Sequence, residues 1–167
     1  MIFLTVGTQL PFDRLVRAVD KWAFDNPQAE IYGQIGSSSC PPQHFDWSED
    51  MPQPQFDARV TEADLIIAHA GMGSIISAMD LAKPIVIMPR LASHGEHRND
   101  HQLATSSKFA DLDNVFLACN EEELGLAIDD ALNSNHIVPI DVAPSIRSLR
   151  MAVTDFIELE GRDERVA

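Results

Sequence analysis

Residues 63–80, "ADLIIAHAGMGSIISAMD", decide how this chain folds. The first part, Asp64 to His69, is a short isoleucine-rich run of the kind that forms a buried strand. The last part, from Gly73 to Ala82, carries apolar residues at helical spacing. Between them lies His69-Ala70-Gly71-Met72-Gly73-Ser74, with two glycines in three residues. Glycine costs backbone entropy, so such a turn implies a need for bare backbone: positive φ, or room for a ligand to approach the main chain. The helix that follows presents unpaired N–H groups at its start, which together make an anion site. Ser74 is placed to cap that helix or to donate its hydroxyl to a phosphate. Taken alone, the turn is equally consistent with a tight strand–helix connection that binds nothing. It has neither the full GxGxxG nor the Gly-Lys-Ser/Thr of a P-loop.

The same alternation extends in both directions. Strands are predicted over 2–6, 29–36, 64–69, 84–89 and 114–119, with a short one around 45–47 inside the long polar stretch 37–54. Helices are predicted over 12–24, 55–63, 73–82, 100–112, 121–132 and 144–159. The strands are apolar on both faces, the signature of a parallel sheet covered on two sides. The expected fold is a single Rossmann-like α/β domain over 1–160 with five or six strands, followed by a frayed tail over 161–167.

In such sheets ligands sit beyond the carboxyl ends of the strands, where the strand order reverses. Three loops are therefore singled out. The first is Gly7-Thr8-Gln9 and the second is the glycine turn. The third is "PRLASHGEHRNDHQ", residues 89–102. Here Arg90 and Arg98 suit phosphate or carboxylate oxygens. Asn99, Asp100, His101 and Gln102 offer the donors and acceptors that a polyol needs. The competing reading is a solvent-exposed, capped helix start. His94, His97 and His101 would share a helical face suited to zinc if the helix ran back that far, but Gly95 interrupts it, and no metal site is expected.

Composition narrows the function. The formal net charge of −14 argues against a nucleic-acid binder. From Asp111 onward there are thirteen acids against four arginines, whereas residues 81–110 hold two acids, two lysines, two arginines and three histidines. An anionic ligand would therefore go just after the glycine turn. No apolar run is long enough for a membrane span, and the N-terminus lacks a signal-peptide pattern. Cys40 and Cys119 form no CxxC pair, and a cytoplasmic protein is expected. There is no G-x-S-x-G nucleophile elbow and no dinucleotide fingerprint at the first strand.

Three segments together, "FLTVGTQLPFDRL", "EADLIIAHAGMGSIISAMDLAKPIVIMPR" and "GEHRNDHQLA", resemble the C-terminal, donor-binding domain of family 28 glycosyltransferases. The free-standing members are most similar: bacterial exopolysaccharide and capsule transferase subunits, and the catalytic subunit of the eukaryotic two-subunit UDP-N-acetylglucosamine transferase. The resemblance implies one half of a GT-B glycosyltransferase. It also implies an inverting transfer from a UDP-sugar to a polyprenyl-linked acceptor, with no metal cofactor. The acceptor-binding half would be a separate, membrane-anchored subunit that supplies most of the general base and holds this chain at the inner membrane face; no catalytic residue is assigned here.

Carried over by position, Gly7 and Thr8 would face the diphosphate. His69, Gly71, Gly73 and Ser74 would bind the phosphates, and Asn99, Asp100, His101 and Gln102 the donor sugar. Arg90 and Arg98 would also suit a uronic acid donor. The chain departs from the family where many members place a ribose-binding Glu: Ser77 stands there, with Asp80 one turn on. Ile146, Leu149, Val153 and Ile157 form a stripe that serves either a partner or the chain's own sheet. The alternative function is a nucleotide-sugar sensor or scaffold that performs no chemistry.

Overall fold

The structure, a computed structural model, describes residues 1–134. The predicted helix over 144–159, with its apolar stripe, and the tail over 161–167 lie outside the described residues.

Six strands form one sheet: β1 (Ile2–Thr5), β2 (Ile31–Gln34), β3 (Asp46–Ser48), β4 (Leu65–His69), β5 (Ile85–Met88) and β6 (Val115–Leu117). Among the described residues there are five α-helices, four between strands, α1 (Asp13–Asp25), α2 (Gln53–Glu62), α3 (Met72–Asp80) and α4 (His101–Phe109), and one after β6, α5 (Glu121–Asn133). The strand order is β3-β2-β1-β4-β5-β6 and every pairing is parallel. This is the Rossmann-like order, with its reversal between β1 and β4.

Period-two alternation explains why the central strands read as unbroken apolar runs. Ile2 and Leu4 of β1, Leu65 and Ile67 of β4, and Val86 and Met88 of β5 face one helical layer. Phe3, Ile66, Ala68, Ile85 and Ile87 face the other. The first layer is α1 and α5. Leu15, Val16 and Val19 of α1 pack with Leu124 and Ile128 of α5 in the same core, and the Trp22 indole N–H donates to Asp129 Oδ1 at 3.1 Å. The helix α5 starts where the sequence places it because Asn120 caps it, accepting from Glu123 N–H at 2.9 Å. The second layer holds Val60 of α2 and Ile75, Ala78 and Met79 of α3.

The long segment after β2 is tied to α1 at two points. Asp13 accepts from Ser38 Oγ at 2.7 Å and from the Ser39 hydroxyl and N–H. Asp20 Oδ1 accepts from the N–H groups of Gln43 and His44, both at 2.8 Å. Beyond these ties the chain adds β3 to the sheet edge and enters α2.

Ile67, fully buried in β4, is a sensitive probe of this core. Ile67→Ala is expected to lower stability by about 2–5 kcal/mol, whereas Leu126→Ala, on the exposed side of α5, is expected to change it by less than about 0.5 kcal/mol. Urea denaturation of both variants checks the contrast.

Candidate functional site

At the point where the strand order reverses, a cavity of about 510 Å³ opens over the ends of β1 and β4. The loop after β1 supplies Gly7 and Thr8, and the glycine turn supplies His69, Gly71, Gly73 and Ser74. From the third loop come Arg90, His97 and Gln102. The segment from Asp50 to Phe56 closes the remaining wall.

The glycine turn works differently from the expectation. Neither Gly71 nor Gly73 has positive φ; Gly7, Gly36 and Gly95 do. Gly71 is needed because the His69 ring lies against it: a Cβ there would sit 2.2 Å from His69 Nε2. The same ring crowds Gly7, where a Cβ would lie 2.7 Å from His69 Cε1 and φ is +75°. A Cβ at Gly73 would meet no atom within 4 Å beyond its chain neighbours and own helix backbone, so this side of the turn faces open space. Ser74 does not cap α3: Gly71 is the N-cap, without a side-chain hydrogen bond, and Ser74 lies in the first helical turn. The earliest bond across that turn is Ile75 N–H to Gly71 O at 3.3 Å. Helical geometry therefore leaves the N–H groups of Met72, Gly73 and Ser74 without intrahelical partners at the cavity wall.

His69 is nearly enclosed by this packing. Its Nδ1 is buried without a partner of hydrogen-bond geometry. Burial and the neighbouring Arg90 charge push its pKa down to about 4, against a smaller upward pull from the Thr5 backbone. The imidazole is thus neutral at pH 7.

Arg90 corrects a second expectation. It is 3% exposed, and four of its N–H groups go to main-chain carbonyls. Nη1 donates to Pro11 O at 2.7 Å and Glu96 O at 3.2 Å; Nη2 donates to Val6 O at 2.7 Å and Leu10 O at 2.6 Å. Its plane also stacks on Phe12 at 4.6 Å. Burial lowers its pKa to about 10, which still leaves it charged at neutral pH. It works as a clamp between the first and third loops, and its guanidinium is largely committed before any anion arrives.

Arg14 holds the other side of the third loop, a role that sequence reasoning missed. Its Nε and Nη2 donate to the two Glu96 carboxylate oxygens at 2.8 and 2.9 Å, and Nη2 also donates to Pro89 O at 2.9 Å. Glu96 accepts in addition from Leu91 N–H at 2.9 Å. Burial opposes both charges, yet their hydrogen-bonded pairing outweighs it: the Arg14 pKa is raised and that of Glu96 lowered.

Of the four residues expected to hold a sugar, Gln102 lines the cavity. Its Oε1 accepts from Arg90 N–H at 3.1 Å, which leaves its amide NH₂ for a ligand. Arg98, Asn99, Asp100 and His101 are exposed and do not line the cavity. Their polarity is used locally, as Asp100 Oδ1 accepts from Ala92 N–H at 2.8 Å and Asn99 Oδ1 from His101 N–H at 3.3 Å. These bonds order the loop before α4, whose N-cap residue Asp100 makes no side-chain capping hydrogen bond. Ser77 and Asp80 line a separate groove with Asp57 and Thr61. The wall residues Gln34, Met51 and Phe56 were also missed, since no pattern marks them.

Comparison with known proteins places this geometry in a family. Residues 1–143 match the glycosyltransferase family 28 C-terminal domain. No curated protein matches. The fold is that of the glycotransferase of kitacinnamycin, at TM-score 0.63 and 20% identity, covering 94% of this chain and 42% of that one. ALG13 matches at TM-score 0.62 and 21% identity, covering 89% of this chain and 93% of that one. UDP-glucose:anthocyanidin 3-O-glucosyltransferase, solved in complex with UDP, matches at TM-score 0.60 and 13% identity, over 80% of this chain and 31% of that one. The chain thus spans less than half the length of the first and third, which places its fold as one half of a GT-B glycosyltransferase.

The low His69 pKa has a measurable consequence. The unfolded chain binds a proton near the ordinary value of 6.5 and the folded one only near 4. Stability is therefore present above about pH 6.5 and is lost as pH falls toward 4. At pH 5 the loss is expected to be about 2 kcal/mol, in a range where Glu96 and its lowered pKa do not yet contribute. His69→Asn is expected to shrink the difference in urea stability between pH 7 and pH 5 by roughly that amount, whatever its effect at pH 7.

Proposed function

The chain belongs to the glycosyltransferase family 28 C-terminal domain, and from that premise we propose that it is the donor-binding subunit of an inverting transferase. The donor is a UDP-sugar. The acceptor is a lipid-linked sugar, held by a separate membrane-anchored subunit that keeps this chain at the inner membrane face. The observation that carries this reading is the junction, in one cavity at the β1/β4 reversal, of the open α3 start with His97 and Gln102. UDP in the anthocyanidin glucosyltransferase supports the choice of nucleotide. The resemblance of the 90–102 run to bacterial polysaccharide transferases supports a setting in polysaccharide or glycolipid synthesis.

In the reaction, an acceptor hydroxyl oxygen attacks the anomeric carbon. The bond from that carbon to the β-phosphate oxygen breaks, and its electron pair leaves on UDP. The hydroxyl proton passes to a base on the acceptor-binding subunit. This chain's part is electrostatic and positional. The N–H groups of Met72, Gly73 and Ser74 face the leaving diphosphate, where fixed donors and the helix dipole stabilise developing charge. A neutral His69 beside them adds no competing proton chemistry. The Gln102 amide NH₂ donates to a donor-sugar hydroxyl.

Two measurements test the proposal. In a thermal-shift panel, UDP and the preferred UDP-sugar are expected to raise the melting temperature while GDP does not. Gly73→Ala is expected to leave the unliganded protein unchanged or stabilise it by up to about 1 kcal/mol while removing the UDP shift, because the new methyl enters the open space before α3. Equal shifts with GDP and UDP would overturn the assignment. In the second measurement, the purified chain with UDP-sugar and lipid acceptor is expected to form almost no product until the membrane subunit is added; brisk turnover alone would refute the two-subunit reading.

A further inference from the structure

The third loop borders two cavities. Arg90, His97 and Gln102 line the one described above. His94 and Glu96 line a second, also of about 510 Å³, together with Asp13, Arg14, Arg17 and Glu121. A loop hollowed on two sides gains little from packing. Among the described residues, no side chain from 91 to 101 belongs to either apolar core. The loop therefore takes its position from polar bonds, and two guanidinium groups tie it to other elements. Arg90 bonds carbonyls of the first loop. Arg14, fixed on α1, bonds both Glu96 carboxylate oxygens and Pro89 O. Glu96 in turn accepts from Leu91 N–H at 2.9 Å, so the loop's own main chain closes around the carboxylate that Arg14 holds.

A buried ion pair of this kind is a poor source of stability. Desolvating both charges offsets most of their attraction, and neutral side chains of similar size often replace such a pair without loss of stability. What the pair supplies is geometry. A planar guanidinium that meets a carboxylate at two points fixes distance and angle together. The residue so fixed, Glu96, is followed at once by His97 of the first cavity's wall, whereas Arg14 lines the second cavity and not the first. We infer that Arg14 is a positioning residue: through Glu96 it sets where His97 and Gln102 stand over the donor sugar, and so governs discrimination among sugars, while the fold and the hold on the nucleotide do not depend on it. The inference rests on the donor-site reading above and gives that site a control from outside its own walls.

The test is a calorimetric titration of the full chain with UDP, UDP-glucose, UDP-galactose, UDP-N-acetylglucosamine and UDP-glucuronate, repeated on the double variant Arg14→Met/Glu96→Gln. The glutamine keeps an oxygen for Leu91 N–H while the pair loses both charges. Wild type is expected to spread the four UDP-sugars over about tenfold or more in affinity, the usual size of one hydrogen bond made or lost in a site. The double variant is expected to keep the wild-type melting temperature within a few degrees and to bind UDP within about twofold of wild type, while the spread shrinks to about twofold. Arg14→Lys, which keeps the charge but meets the carboxylate at one point, is expected to do the same and serves if the double variant does not fold. A spread that stays as wide in the variant would overturn the inference. Equal weakening of UDP and all four sugars would overturn it too, because the pair would then prop the whole cavity. So would a wild type that binds the four sugars alike, or loss of folding in both variants. If UDP itself does not bind the wild type, the donor-site reading falls, and the role of Arg14 falls with it.

Discussion

The site depends on two buried guanidinium groups. Arg90 joins Val6, Leu10 and Pro11 of the first loop to Glu96 of the third through carbonyl oxygens alone. Arg14 grips the same Glu96 from α1 in a two-pronged pair and reaches Pro89 as well. Burying charge is costly unless each group is fully hydrogen-bonded. Here the carbonyls and carboxylate that satisfy the cations belong to irregular segments that would otherwise leave those acceptors unpaired. The arrangement therefore solves two problems together, and in doing so it fixes the mouth of the cavity.

What remains free after that arrangement is as telling as what is bound. The N–H groups at the start of α3, the Gln102 amide NH₂ and the Asp50 carboxylate all border the same space. They comprise main-chain donors, a side-chain amide donor and one carboxylate acceptor. The UDP-sugar donor proposed above would present complementary groups along its length.

The fold was largely legible because its central strands are buried on both faces and cannot alternate visibly. Residues 64–69 and 85–88 carry that signal strongly, and the helices between them follow 3.6-residue spacing. Edge strands carry less: β3 has only three residues, none of them buried. The site was legible in outline, since the glycine turn and the 89–102 loop do meet in one cavity. Its working details were not. Gly71 answers to a ring two residues earlier, and the Arg14–Glu96 pair joins positions 82 apart, contacts that no local pattern encodes. Asn99 and Asp100 looked like ligand donors but bond their own loop, as short polar side chains often do.

The acidic ties on α1 have a wider consequence. Asp13 and Asp20 secure the segment that leads to the Asp50–Phe56 wall, while Arg14, on the same helix, secures the loop that carries Arg90 and His97. Opposite jaws of the cavity are thus mounted on one rigid beam. The spacing of the two walls therefore rests on one helix rather than on the loops themselves.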